Sequence, residues 1–151
     1  LDGQIYGMTA NAFISVSLDP PLVLVSVDKR ANLNKILPTS MRYGVSILAQ
    51  DQQDLSDHFA RRPVEGLKLA FTEKHGIPLL DGAIAQLVVR VVDMHPAGDH
   101  ILYIGQVEHL EWRDGKPLLY FAGNYHILKP EPNADEFCSD EDFAEFLLSS
   151  L

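Results

Sequence analysis

Cysteine is almost absent: Cys138 is the single one in 151 residues. An internal disulfide is thereby excluded, and a reducing compartment, the cytoplasm, is the expected location. No apolar run approaches the roughly 20 residues that a membrane helix needs. No signal-peptide pattern opens the sequence. Both standard glycine-rich nucleotide loops, G-x-G-x-x-G and G-x-x-x-x-G-K-[ST], are missing. So is a G-x-S-x-G elbow. Cys138 sits among Asp and Glu, which disfavour a thiolate nucleophile.

Clustered positive charge is lacking as well. The net charge is −9, with 21 acidic residues and 12 basic ones. Seven of the acids fall between positions 131 and 145, where there is no base; the other 14 nearly balance the 12 bases. A long DNA or RNA footprint needs concentrated Lys and Arg, so none is expected. The acidic stretch reads first as a solvated tail.

What is present fits one globular domain. About half of the residues are apolar, enough for a core without staples. Asp2-Gly3 is a hairpin-turn dipeptide with almost nothing before it. A preceding strand is therefore expected to be missing from this sequence. Residues 4–9 and 12–18 read as strand with a polar interruption. Asp19-Pro20-Pro21 breaks the ladder, since proline has no N–H to give. Residues 22–28 form a buried strand. Asn32 is placed to cap a short helix, 33–37, ended by Pro38. A strand at 42–49 follows, then a helix capped by Asp51 with Leu55 and Phe59 on one face. Residues 61–80, with Pro63, Gly66, Gly76 and Pro78, read as loop. Two long alternating strands, 83–94 and 100–112, turn at 96–99, and "PLLYFAG" is a last strand. A meander with short helices at its connections argues for an antiparallel barrel. In "SDEDFAEFLLSSL", Ser139 caps a short helix with Phe143, Phe146 and Leu147 at helical spacing.

Six histidines, at 58, 75, 95, 100, 109 and 126, show no metal-helix or knuckle spacing. No metal is expected. His95, His100 and His109 are the three that a long hairpin brings nearest. More informative are short polar residues set in apolar strands: Thr9, Asn11, Ser15, Ser26 and Ser46. Small neighbours, Ala10, Ala12, Gly44 and Ala49, leave room for a flat ligand. Apolar walls with a few short hydrogen-bonding groups are the usual form of a small-molecule site. Each such residue taken alone also fits a strand serine bonded to backbone or facing water. The adjacent "DKRANLNK" adds Asn32, Asn34, Lys29, Arg30 and Lys35.

"GMTANAFISVSLDPPLVLVSVD" resembles the opening block of the short-chain flavin reductases, the reductase components of two-component flavin-dependent monooxygenases. "RYGVSILAQDQQDLSDHFA" resembles that family's next block. The segment from "PLLDGAIAQ" to "GNYHIL" resembles its later half, including Gly98-Asp99-His100, Gly105 and Gly123-x-Tyr125. The resemblance runs from about residue 3 to 128. It implies a mainly β fold, a six-stranded antiparallel split β-barrel of Greek-key form with a few short helices, over residues 1–129. Residues 130–151 are then an acidic linker and a short helix. It also implies a homodimer, bound FMN or FAD, and NADH or NADPH as hydride donor.

By position, the resemblance lays Thr9, Asn11, Ala12 and Phe13 along the isoalloxazine ring, with Ser26, Val27 and Asp28 after them. Asn32 and Asn34 hold the ribityl chain or phosphate. Ala49 and Gln50 border the ring; Phe59, Ala60 and Arg61 close the phosphate or adenylate side. His100 and Tyr125 face the nicotinamide as the catalytic pair. Two departures stand out: Ala12 occupies a position where serine is frequent, and the family's N-terminal helix and first strand are absent. In such a site the cofactors carry the chemistry and the protein sets distance and orientation. A non-catalytic flavin carrier or sensor on the same barrel is the alternative, and a flavin-dependent oxidase ranks below both.

Overall fold

The run after Pro21 alternates by strand period. Val23, Val25 and Val27 are buried, whereas Leu22, Leu24 and Ser26 are only partly covered. Period two is the mark of a strand with one face on a core. In the computed structural model, which describes residues 5–128, this strand is β2 (Pro21–Asp28). It pairs with β1 (Phe13–Leu18) on one side and with β7 (His100–Trp112) on the other.

Between them lie a 3-10 turn (Asn32–Lys35), helix α1 (Leu37–Ser40), β3 (Arg42–Ile47) and helix α2 (Gln53–Phe59). The hairpin β4 (Phe71–Lys74) and β5 (Ile77–Leu80) precedes the long β6 (Ala85–Ala97). After β7 comes a second small hairpin, β8 (Leu119–Phe121) and β9 (Asn124–His126). The main sheet runs β1-β2-β7-β6-β3, with every pair antiparallel. The fold is thus mainly β with few helices. Irregular pairing near Val88–Val89 and Val91–Asp93 bends the long β6–β7 hairpin.

The core gathers Val23, Val25, Val27, Leu37, Leu87, Val89 and Val91 with two tyrosines, Tyr43 and Tyr103. Val23, Val27, Val89 and Tyr103 are 0 % exposed. Each such valine contributes about 1.5–3 kcal/mol over an exposed one.

Several expectations meet a different local solution. The five strands form one sheet, and among the described residues no ladder joins β1 to β3. Residues 5–12 are not strand; the N–H and hydroxyl of Thr9 bond α2 instead. Pro21 does not break a ladder. It opens β2 opposite Leu18, the first-residue position that proline tolerates.

Ala31, not Asn32, precedes the 3-10 turn, and Pro38 lies in the first turn of α1 rather than ending a helix. Its fixed φ suits a helix start. Gln52, not Asp51, precedes α2. The stretch read as loop at 61–80 contains β4 and β5. His75 and Gly76, at φ 51° and 77°, make its two-residue turn, so Gly76 marks a hairpin. "PLLYFAG" supplies β8, which pairs only with β9 and not with the main sheet. The acidic linker and helix expected at 130–151 lie outside the described residues. No described helix is long and apolar enough to cross a membrane.

Candidate functional site

Helix α2 organises one end of the site. Ser56 is buried on its inner face. The Thr9 hydroxyl donates to the Ser56 carbonyl at 2.6 Å, and the Thr9 N–H donates to the Phe59 carbonyl at 3.2 Å. Both carbonyls lie in the last turn of the helix; that of Ser56 also accepts the Ala60 N–H at 3.0 Å, so the Thr9 hydroxyl is its second donor. The Phe59 ring covers Gly7 so closely that a Cβ there would stand 2.8 Å from it. Thr9 therefore fastens the 7–12 segment to α2, and its hydroxyl proton is committed to the backbone.

From Thr9 the chain passes Asn11 and Ala12, both exposed, to Phe13 in β1. The Ala12 carbonyl accepts the Ser26 N–H at 3.0 Å. Ala12 and Phe13 therefore lie beside Ser26 and Val25. Val27, 0 % exposed, faces the core, while Ser26 and Asp28 face the other way.

Asp28 ends β2 directly opposite His100 at the start of β7. Its carboxylate binds Arg30 through two side-chain bonds, to Nε at 3.0 Å and Nη2 at 2.7 Å, and also accepts the Arg30 N–H. Those bonds hold the Asp28 carboxyl far below the usual carboxylate range. His100 Nδ1 lies 2.7 Å from Asp99 Oδ1. That contact lowers the Asp99 pKa and leaves Nε2 as the outward nitrogen. Lys29 fixes the β6–β7 turn from the other side: its N–H donates to the Asp99 carbonyl at 2.9 Å and its Nζ to the Gly98 carbonyl at 2.6 Å.

Asn34 reaches inward. Its Nδ2 donates to the Asp28 carbonyl at 2.6 Å, and its Oδ1 accepts the Tyr103 hydroxyl at 2.9 Å. Asn32 is exposed. The two asparagines thus differ: one faces outward, while the amide of the other is engaged on both sides.

Ala49 and Gln50 follow β3, on the side where α2 begins. Gln52 accepts the Ala49 N–H at 3.0 Å and donates to the Asp81 carbonyl at 2.7 Å. The Gln50 N–H donates to the Lys116 carbonyl at 2.8 Å. A shallow cleft of about 270 Å³ opens here, lined by Ala49, Gln50, Asp51, Arg113, Gly115 and Lys116. Gln50 Oε1 and His58 Nδ1 are buried polar atoms with no hydrogen-bond partner.

Tyr125, on β9, donates to Asp57 of α2 at 3.1 Å, and Arg62 stands 3.6 Å from the same carboxylate oxygen. Arg61 and Ala60 are exposed just past the helix. Tyr125 is therefore anchored to α2, whereas His100 is anchored to the β6–β7 turn. The three long-hairpin histidines do not converge. His95 bonds Asp93 at 2.9 Å, while His109 packs against His75 with ring centres 5.0 Å apart and the rings tilted by 52°. Among the described residues no three His, Cys, Asp or Glu side chains are placed to hold a metal ion.

Two members of the polar-and-small cluster serve packing. The Ser46 hydroxyl accepts the Leu80 N–H at 3.0 Å. A Cβ on Gly44 would stand 2.5 Å from Leu79 Cδ2, so the β4–β5 hairpin fills the space that the sequence offers to a ligand. Ser56, Asp57, Gln52 and Tyr103 escaped sequence reasoning. Each has a partner 29 to 69 residues away, set by tertiary packing and not by a local pattern.

The model of the flavin reductase like domain matches residues 2–129. An NADH-dependent flavin reductase from a Rhodococcus species is 48 % identical over 128 residues, which are 85 % of this chain and 73 % of that protein. The reductase component of 4-hydroxyphenylacetate 3-monooxygenase from Thermus thermophilus is 42 % identical over 123 residues, 81 % of this chain and 78 % of that one. The solved structure of the flavin reductase PheA2 superposes with a TM-score of 0.83 at 44 % identity, covering 86 % of this chain and 85 % of its own.

Proposed function

Because this chain belongs to the flavin reductase-like domain family, we propose that it is an NADH-dependent flavin reductase passing reduced flavin to a partner monooxygenase. The observation that carries the reading is a line of adjoining segments, joined by hydrogen bonds at Thr9 and at Ala12 and by strand pairing at Asp28. It runs from Ser56 and Phe59 through Thr9, across Ala12 and Ser26, to Asp28 beside His100.

The residues present fit a flavin. The line is edged by Ala10, Ala12 and Ala60, whose short side chains leave a planar ring access to backbone groups. Gln50 Oε1 is an acceptor without a donor, and a ring N–H is a donor of the kind it lacks. Asn11, Ala12 and Phe13 would border the ring, with Ser26, Val27 and Asp28 continuing that wall. Thr9 would hold the wall to α2. Ala49 and Gln50 would form the opposite border. Asn32 and the loop that Asn34 braces would take the ribityl-phosphate end; Phe59, Ala60 and Arg61 would close the far side. FMN is the favoured flavin, with FAD also admitted.

When bound, the flavin supplies the two-electron acceptor for a hydride from the nicotinamide. The protein's part is orientation and exclusion of water. His100, its Nδ1 on Asp99, presents Nε2 as a fixed polar contact for the nicotinamide. Tyr125, held on Asp57, flanks the same space from α2. We take the chain to be a homodimer, which the exposed Ile14, Val16 and Leu18 on the edge strand β1 support. On this reading the five-stranded sheet is the greater part of a six-stranded split barrel. We take the protein to be cytoplasmic, a reading that the single cysteine supports.

Steady-state NADH oxidation with FMN tests the activity. Turnover that scales with enzyme and saturates in both substrates is expected. Tight FMN binding with no NADH oxidation would instead indicate a carrier.

A further inference from the structure

We infer that Tyr103 is a positioning residue: from inside the core it sets, through Asn34, the conformation of the 29–36 loop. The inference rests on the flavin reductase reading, which puts that loop against the ribityl-phosphate end of the cofactor.

Tyr103 is 0 % exposed and stands near the start of β7, opposite Val25 and Met94. Its neighbours in the core are apolar apart from Tyr43. Phenylalanine would fill the same volume without burying a hydroxyl, and a buried hydroxyl is costly unless bonded. The hydroxyl has one partner, Asn34 Oδ1, 69 positions back in the chain.

Asn34 passes the constraint on. Its Nδ2 donates to the Asp28 carbonyl, which also accepts the Ala31 N–H at 2.8 Å. The Asn34 N–H in turn donates to the Ala31 carbonyl at 3.2 Å. One side chain thus ties the middle of the loop to both its start and the sheet beneath. Both ends of the Asn34 amide are used, so its orientation is fixed and it is not offered to a ligand. Asn32 and the loop backbone are left to make the cofactor contacts. Burial raises the Tyr103 pKa, so the hydroxyl remains a donor throughout the working pH range.

Strand β7 therefore serves the site from both faces. His100 points outward toward the nicotinamide position, and Tyr103, three residues on, points inward to the strut.

The test is Tyr103→Phe in the full chain, measured in three ways. Hydrogen exchange of the ligand-free protein is expected to speed up about tenfold at the amides of residues 29–36, with the β2 and β7 core amides unchanged. FMN titration by fluorescence is expected to show about fivefold weaker binding. NADH turnover at saturating FMN is expected to keep its kcat and its KM for NADH. Parent-like FMN affinity in the variant would overturn the inference. So would a uniform rise in exchange across the core together with a proportional loss of FMN and NADH affinity, which marks general destabilisation. A parent protein that binds neither FMN nor FAD would refute the flavin reading itself, and the role of Tyr103 with it.

Discussion

Asp28 and His100 face each other across adjacent antiparallel strands, at the ends of β2 and β7. Each is held by its own neighbour: Asp28 by Arg30, His100 by Asp99. The pairing brings the wall begun at Thr9 to the turn that carries His100. His100→Ala removes the polar contact and leaves the wall intact. Hydride transfer is expected to slow about 10-fold to 100-fold, the scale of a misplaced reactant, with FMN affinity changed less than twofold. Single-turnover reduction and FMN titration check the two halves. Equal reduction rates in variant and parent would remove His100 from the site.

The Asp28–Arg30 pair carries a pH signature with a definite sign. The folded-state pKa of Asp28 is depressed, so its contribution to stability is present above the unfolded pKa, near ~4, and fades as pH falls below that. Asp28→Asn is expected to lower Tm at pH 7. Thermal scans from pH 7 down to pH 3 should show the gap to the parent constant above pH ~5 and shrinking below ~4. A gap that stays constant down to pH 3 would show that the pair contributes nothing to stability.

Tyr43 works in the opposite direction. Its hydroxyl is buried without a partner, and burial pushes its pKa up to about 12. The unfolded tyrosine ionises near ~10, so stability is complete below that pH and is lost as pH rises toward the folded value. Tyr43→Phe removes the orphaned hydroxyl and keeps the ring. Stability at pH 7 is expected to stay level or to rise by about 1 kcal/mol, and the alkaline loss above pH ~10 to diminish. Denaturant unfolding at pH 7 and pH 10.5 measures both. A loss above about 1 kcal/mol at pH 7 would show that the hydroxyl has a bonded partner.

Gly44 separates packing from binding. Gly44→Ala forces Leu79, Ile77 or the Pro78 carbonyl to move. The cost is expected at about 1–3 kcal/mol, with FMN affinity unchanged because the β4–β5 hairpin, not a ligand, occupies that space. Calorimetry and FMN titration give the answer. Weakened FMN binding with unchanged stability would restore Gly44 to the site.

The sequence was legible where its signal was local. The strand at 22–28 followed from its apolar run, although only one of its faces is buried, and the long hairpin of β6 and β7 from its extended pattern. The Gly98-Asp99 turn between β6 and β7 came from chain chemistry. Thr9, Asn11 and Ser26 stood out as polar interruptions, and the segment that holds the first two reaches Ser26 through the Ala12 carbonyl. What escaped was set by distant partners. Thr9 looked like a ligand contact because Ser56 is 47 positions away. Gly44 looked like open space because Leu79 comes from a hairpin that His75-Gly76, an unusual turn pair, concealed. Tyr103 read as one more apolar strand residue, since nothing near it in sequence announces a bond to Asn34. The order of blocks from Gly7 to Leu128 disclosed the family more reliably than any single motif did.

Anaerobic stopped-flow mixing of the purified protein, FMN and NADH tests the central claim most directly, with the flavin band near ~450 nm as the readout. Preorganisation of donor and acceptor predicts bleaching far faster than in the protein-free mixture. Bleaching at the protein-free rate, with FMN shown to be bound, would contradict the assignment of this chain as a flavin reductase.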